Sequence, residues 1–318
     1  MRAAPPVAVI GEALIDLVEA DDDAPRLARP GGSPYNVAIG LARLERAAAF
    51  VGRLSHDPLG TVLRNHALRS GVDLSLCVEA HEPSTVALVE LAEDGSAQYR
   101  FGVDGTADFR WTDAELAAVA ADAAGVHFGS LASWLAPGDR AIARRVALLR
   151  DAGVTVSYDP NVRPHLQHDR ADARRSVEAG VRLAHLVKTS DEDLAYLYPG
   201  EPLAEVARRW LTGDTAPSVV VVTRGGDGVS AFTARDTLAR PPAPSDVVDT
   251  VGAGDAFTAG LLDALLERAL FTPAALAAVQ PAALADVLDH ASLVAAITCS
   301  RAGANPPRRR ELFGAAAG

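Results

Sequence analysis

The sequence predicts an α/β fold: a mostly parallel central sheet covered by helices on both faces, with a small β accessory. Three observations carry this. From Trp111 onward, short apolar runs alternate with longer helical stretches, the order that a parallel sheet with crossover helices requires. Two β-rich stretches, Gly11 to Pro30 and Ser84 to Phe101, break that alternation. The chain has 318 residues, 49% of them apolar. That is enough for one large α/β domain with a packed core, so a single domain is expected across 1–318.

Val7 to Ile10 reads as the first buried strand, followed by an alternating stretch through Ala13, Ile15 and Leu17 with Asp16 among them. Asp21 to Pro25 is a turn tip. In Gly31-Gly32-Ser33-Pro34, Ser at the N-cap and Pro at the first helical position predict a helix running to about Arg46. Phe50 to Leu54 suits a short strand, and Asp57-Pro58 opens a helix to about Ser70. Asp94-Gly95 between two β-rich runs signals a hairpin. Further strands are expected at Gly125 to Gly129, Val154 to Tyr158, Leu186 to Lys188 and Ser218 to Thr223. After a Pro-rich loop, Pro241 to Ser245, helices are expected from about Gly254 and over Pro273 to Arg301.

A formal net charge of -11 argues against a nucleic-acid-binding face; acidity of this kind serves solubility. Cys77 and Cys299 are the only cysteines, which gives neither a disulfide framework nor zinc-ligand spacing. Met1 to Gly11 lacks a leader pattern, and no apolar run reads as a bilayer span, so a cytoplasmic protein without a membrane partner is expected. Lys188 is the only lysine among 30 basic residues. Codon bias toward Arg would explain the rarity. The retained Lys is still a compact point charge where Arg is a fork.

Parallel sheets bind ligands beyond the carboxyl ends of their strands, so motifs that follow strands carry the chemistry. Asp249 to Phe257 contains Gly252-Ala253-Gly254-Asp255 directly before an apolar helix. Glycines allow close backbone approach, and a helix N-terminus attracts an anion, here a transferring phosphoryl group. Asp255 beside it could accept a hydroxyl proton. A glycine-rich turn with a capping Asp would look the same.

Thr223-Arg224-Gly225-Gly226-Asp227-Gly228 suits a nucleotide phosphate or a tight hairpin turn. Lys188 to Asp193 places acidic residues at a helix start, where they complement the dipole or hold Mg²⁺ through water. Asn36 after Gly31-Gly32, Asp16, and Arg163 after Asp159-Pro160 offer partners for hydroxyl or carboxylate oxygens. No Gly-x-x-x-x-Gly-Lys-Ser/Thr loop is present.

In this order the segments resemble the PfkB, or ribokinase-like, family of carbohydrate kinases. Gly31-Gly32-x-x-x-Asn36-x-Ala38-x-x-Leu41-Ala42-x-Leu44 is similar to the family's first signature. Asp249-Thr250-x-Gly252-Ala253-Gly254-Asp255-x-Phe257 is similar to its second. The resemblance implies a ribokinase-like three-layer sandwich of nine or so strands, with a β-sheet lid from about 11–30 and 84–107.

It implies ATP and Mg²⁺ as cofactors and a sugar as substrate. Asp255 would be the base, with Gly252, Ala253 and Gly254 as the anion hole. Asp16, Gly31, Gly32 and Asn36 would hold the sugar, and Thr223, Gly225 and Gly228 the nucleotide phosphates. Ser292, at the start of the late segment to Asn305, would cover the adenine. Ser190 and Asp193 stand where the family has Asn-x-x-Glu, with Asp193 reaching Mg²⁺ through water. K⁺ would lie by Asp249 and Val251, although the family's Ser on that loop is replaced near Pro307. Relatives often dimerise through the lid, so a homodimer is expected.

Ser190, Gly11 to Asp16 and the run from Tyr99 and Phe101 to Asp108 look most like fructokinases. Arg163 resembles an arginine that 2-keto-3-deoxygluconate kinases use on their substrate. A nucleoside kinase, or a non-catalytic sugar or nucleotide sensor on the same fold, are the other readings. Lys188 is expected to serve a phosphate of the nucleotide or substrate.

Overall fold

The computed structural model describes residues 4–18, 27–91, 97–167 and 169–315. The turn tips expected at Asp21 to Pro25 and at Asp94-Gly95 lie outside these residues. Among the described residues, the main sheet has eight strands rather than nine. From one edge inward run Ala48–Val51, Val7–Ile10, Gly125–Gly129, Val156–Asp159, Leu186–Ser190 and Val219–Thr223, all parallel. Val229–Thr233 and Thr237–Arg240 follow, antiparallel, on the far edge. The glycine-rich stretch after Val219–Thr223 is therefore a hairpin turn. Gly228 sits there at φ 87°, and a Cβ would meet the Arg240 carbonyl oxygen at 2.2 Å. Only glycine fits both the conformation and the space.

The strands are apolar on both faces because both faces are covered. Ala8 and Ile10 enter one core, with Val146, Val177 and Trp210 from the helices Asp139–Asp151, Arg170–Leu183 and Leu203–Trp210. Val7 and Val9 enter the other, with Val37, Leu63, Leu261 and Leu288 from Ser33–Arg43, Pro58–Ser70, Ala253–Glu267 and Pro281–Cys299. Val219–Thr223 divides the same way, Val220 and Val222 to one side, Val219 and Val221 to the other.

A second sheet of four strands carries the two β-rich stretches, in the order Leu27–Gly31, Leu14–Val18, Thr85–Leu91, Ala97–Gly102. Its root is tied to the main body by Asp108, which is buried. The Asp108 carboxylate accepts from the backbone N–H of Ala13 at 2.9 Å and from the Thr85 hydroxyl.

Three sequence expectations change. Phe50 to Leu54 splits into Ala48–Val51 in the main sheet and Arg53–Ser55, which pairs with Val78–Ala80 in a separate ribbon. The last helical region breaks into Pro273–Ala277 and Pro281–Cys299, because Pro281 restarts the helix at its first turn. Pro281–Cys299 is also long and apolar enough, by length and composition, to cross a bilayer, contrary to the sequence reading. Here it lies along Ala253–Glu267 so closely that a Cβ on Gly260 would meet the Ala291 Cα at 3.0 Å.

The C-terminal part is fastened by one carboxylate. Asp263, fully buried, takes Arg46, Arg309 and His290, the last at 2.8 Å. These partners hold its carboxyl below the usual range against the opposing effect of burial. Asp263→Ala leaves three partly buried donors unpaired. A loss of about 2 kcal/mol is expected, below the range for fully buried pairs because the arginines keep some solvent contact. A urea midpoint unchanged from the parent protein would contradict it. The sign follows from the lowered pKa: this stabilisation is complete above about pH 4 and is lost as pH falls through the depressed native value.

Candidate active site

A cavity of about 930 Å³ opens over the carboxyl ends of the parallel strands. It is continuous in its lining with an apolar slot of about 280 Å³, since Thr223, Gly225, Val247, Thr250 and Gly254 border both. The large cavity is polar and the slot is walled by Pro242, Ala243, Phe257 and Ala295. The Gly254 turn stands at the junction.

Asp255 lies in the first turn of Ala253–Glu267 and is buried. Ser33 Oγ donates to its Oδ1 at 2.6 Å, and Asn36 Nδ2 donates to Oδ2 at 2.8 Å. Ser33 was expected to cap its own helix. Instead Gly32 occupies the N-cap at φ 105°, where a Cβ would meet the Glu12 carbonyl oxygen at 2.6 Å. That frees the Ser33 hydroxyl for Asp255. Burial pushes the Asp255 pKa up, while Ser33, Asn36 and the Lys188 charge pull it back. Within the turn, the N–H of Ala253 bonds to the Thr250 carbonyl at 3.2 Å and that of Ala256 to Gly252 at 2.9 Å. Among the described residues, this leaves the N–H groups of Gly254 and Asp255 for a ligand. Ala253 itself faces the slot.

Asp16 projects into the polar cavity from Leu14–Val18. Burial raises its pKa to about 6, opposed by Arg163 and Arg29 and reinforced by Asp255. Gly31 borders neither cavity. It lies beside Asp16, and a Cβ there would strike Asp16 Oδ2 at 2.3 Å. Asn36, Phe101 and Arg163 reach the same chamber. Phe101 stacks on His165 with ring centroids 5.5 Å apart. Arg163 donates to Asn161 Oδ1 at 2.7 Å, across a loop in which Asn161 adopts φ 38°.

Thr223 and Gly225 border the junction, and Gly228 and Ser292 the slot. Ser190 caps Asp191–Leu197, accepting from the Asp193 N–H at 3.0 Å. Asp193 is turned inward: its oxygens accept from Val162 N at 2.8 Å, Ser190 N at 3.1 Å and Thr189 Oγ1 at 3.2 Å. Asp191 and Glu192 also border the cavity. Asp249 accepts from the N–H of Val251 at 3.0 Å and of Gly303 at 2.7 Å, so it ties two loops together beside Gly252.

Four residues that sequence reasoning passed over belong to the site. Glu12, Ser130 and Asn161 line the cavity, and Asp159 pairs with Lys188 at 2.9 Å. Their signal was present in their positions, since each follows or ends a parallel strand. Glu12 is buried, burial raises its pKa, and it accepts from Ala132 N at 3.1 Å.

A carboxylate beside two free N–H groups, between a polar chamber and an apolar slot, defines a kinase that acts on a hydroxyl. The comparisons agree: the model for "pfkB family carbohydrate kinase" matches residues 5–310, and the chain belongs to that family. It is a sugar kinase, a phosphotransferase with an alcohol acceptor. A fructokinase of Salmonella typhimurium is 35% identical over 282 residues, covering 86% of this chain and 88% of that one. A fructokinase of Klebsiella pneumoniae is 33% identical over 274 residues, covering 86% and 88%. Among solved structures, a fructokinase of Xylella fastidiosa with bound ATP superposes with a TM-score of 0.87 at 27% identity, covering 99% of this chain and 100% of that one. An aminoimidazole riboside kinase of Salmonella enterica reaches 0.80 at 28% identity, covering 97% and 99%.

Ser33→Ala and Asn36→Ala each remove a donor that lowers the Asp255 pKa. The acidic limb of kcat against pH is therefore expected to move to higher pH in both. A limb that stays where it was would mean these donors do not tune the carboxylate.

Proposed function

We propose that this chain transfers the γ-phosphoryl group of ATP to a hydroxyl of fructose. The observation that carries the reading is Asp255, held by Ser33 and Asn36 at the junction of the two cavities. The apolar slot by Ser292 and Phe257 suits a purine, and Thr223, Gly225 and Gly228 line the path of its phosphates. Asp16, Asn36 and Arg163 supply acceptors and donors for sugar hydroxyls.

In the reaction, the acceptor hydroxyl gives its proton to the Asp255 carboxylate. Its oxygen forms a bond to the γ-phosphorus as the bond from that phosphorus to the β–γ bridging oxygen breaks, and ADP leaves. Charge on the moving phosphoryl group is met by the N–H groups of Gly254 and Asp255. The four-stranded sheet serves as a lid that keeps water from competing with the sugar.

Mg²⁺ fits this donor set as a cation held mainly by phosphates and water. Among the described residues, no three His, Cys, Asp or Glu side chains are grouped to bind a metal unaided. When bound with ATP it neutralises phosphate charge. Asp193 would hold its waters, with Asp191 and Glu192 bordering the same cavity. Asp249 and the Val251 backbone would border K⁺, an ion bound in a Vibrio cholerae fructokinase of the same fold. A cytoplasmic homodimer joined through the lid completes the reading.

A nucleoside acceptor is the second reading, favoured by the Phe101–His165 stack at the chamber and by the aminoimidazole riboside kinase likeness. A coupled ADP-release screen over ketohexoses, aldopentoses, keto-deoxy acids and nucleosides decides between them, with fructose expected to give the highest kcat/KM. Higher efficiency on a nucleoside would replace the fructose assignment. Asp255→Asn is expected to keep ATP affinity and lose at least ~100-fold in kcat, the usual scale for a lost general base; near-normal turnover would refute the role. Asp16 accepts from hydroxyls with both oxygens only when ionised. KM for the sugar is therefore expected to rise as pH falls through about 6, with no such rise in Asp16→Asn.

A further inference from the structure

The only lysine of the chain is buried at the centre of the site. Lys188 is 5% exposed, and its ammonium donates to Asp159 Oδ2 at 2.9 Å. Burial alone would discharge it. The adjacent Asp159, with Asp193 and Asp255 nearby, outweighs burial and keeps it protonated. The ammonium also borders the large cavity.

The ammonium lies against the Gly254 turn, on the side where a side chain would otherwise stand. A Cβ at Gly254 would come within 3.1 Å of Lys188 Nζ, and the ammonium is the only group such a Cβ would meet. Gly254 has no positive φ that would demand glycine, so the backbone does not explain the residue. The gap it leaves does: it opens the anion hole toward a fixed positive charge.

The charge balance points the same way. Seven carboxylates line the chamber, Asp191, Glu192 and Asp249 among them, with Asp159 behind Lys188, while Arg163 and Lys188 are the cationic side chains that line it. A triphosphate would be repelled from such a place without a fixed cation. Arg163 is on the sugar side, bonded to Asn161 and to the Val162 carbonyl.

We propose that Lys188 is a catalytic residue, whose ammonium stabilises the transferring phosphoryl group through the gap at Gly254, and that Asp159 is its positioning residue. Asp159 holds the ammonium while its other oxygen accepts from the Asn161 N–H at 3.2 Å. Thr258, one turn beyond Gly254, donates to the Gly254 carbonyl at 3.1 Å and approaches Asp159 Oδ2 at 3.4 Å. The ammonium, the glycine turn and the sugar-side loop are thereby held in one frame. The inference rests on the phosphotransfer reading above and adds to it the group that bears the charge.

Because the chain has one lysine, protein labelled with ζ-¹⁵N-lysine has a single side-chain ammonium signal to follow. Addition of ADP with aluminium fluoride and fructose to the full chain is expected to move that signal, and fructose alone to leave it in place. A signal that ignores the ADP–fluoride complex would overturn the proposal, and this measurement needs no variant to fold.

The double variant Lys188→Met with Asp159→Asn removes the ammonium without stranding a buried carboxylate. A fall in kcat of ~100-fold, the scale of a lost anion-hole donor, is expected with KM for ATP changed far less. A kcat within threefold of the parent would refute the assignment, as would a loss confined to KM. If instead the parent chain shows no sugar-stimulated ADP release, the phosphotransfer reading is what fails.

Discussion

The site depends on keeping one buried carboxylate charged. In the role proposed for it, Asp255 has to be ionised while out of water, and burial by itself favours its neutral form. Two short hydrogen bonds and one buried cation oppose that tendency. The opposing groups come from two distant parts of the chain: Ser33 and Asn36 from the first helix, Lys188 from the middle of the sheet. The surrounding architecture can be understood as what brings those groups to a single helix N-terminus.

Close backbone approach is the second requirement, and the glycines meet it in different ways. Gly32 lets the first helix start on the Glu12 carbonyl, which frees Ser33. Gly31 leaves room for the Asp16 carboxyl, and Gly254 leaves room for the ammonium. Gly252 adopts φ 75°, and a Cβ there would meet the Ala304 side chain at 2.5 Å, so the anion-binding turn is seated directly on the loop that Asp249 ties down. Within each of the two signatures the glycines thus have separate physical reasons: conformation as well as space at Gly32 and Gly252, space alone at Gly31 and Gly254.

Much of this was legible in the residues. The runs Val7–Ile10 and Gly125–Gly129 were readable to the residue because a strand covered on both faces must be apolar throughout. The turn at Asp255 was readable as the start of a helix, but the glycines alone suited a capped turn as well as an anion site. Long-range partnership was not legible. Ser33 before Pro34 satisfies every local rule for a helix cap, and only the tertiary position of Asp255 draws it away. Asp193 reads as a dipole complement or a water-mediated Mg²⁺ ligand at a helix start, and in the structure its oxygens also accept from Val162, Ser190 and Thr189. Asp159 and Glu12 look like turn residues until the sheet places them under the cavity. The antiparallel edge strands were missed because the glycine-rich turn before them also suited a phosphate loop, and in the structure the stretch is a hairpin turn bordering the slot.

The bonds to Asp255 span more than two thirds of the 318-residue chain: Ser33 and Asn36 lie 222 and 219 residues away from it. Contacts of that separation carry a large loop-closure entropy and form after local structure. During synthesis the sugar-side groups emerge first, in a chain that as yet has no base and no phosphoryl-binding turn. On the roles proposed above, a partial product of the ribosome holds Asp16 and Asn36 but not the Asp255 turn. The proposed site is complete only when the last third of the chain closes onto the first.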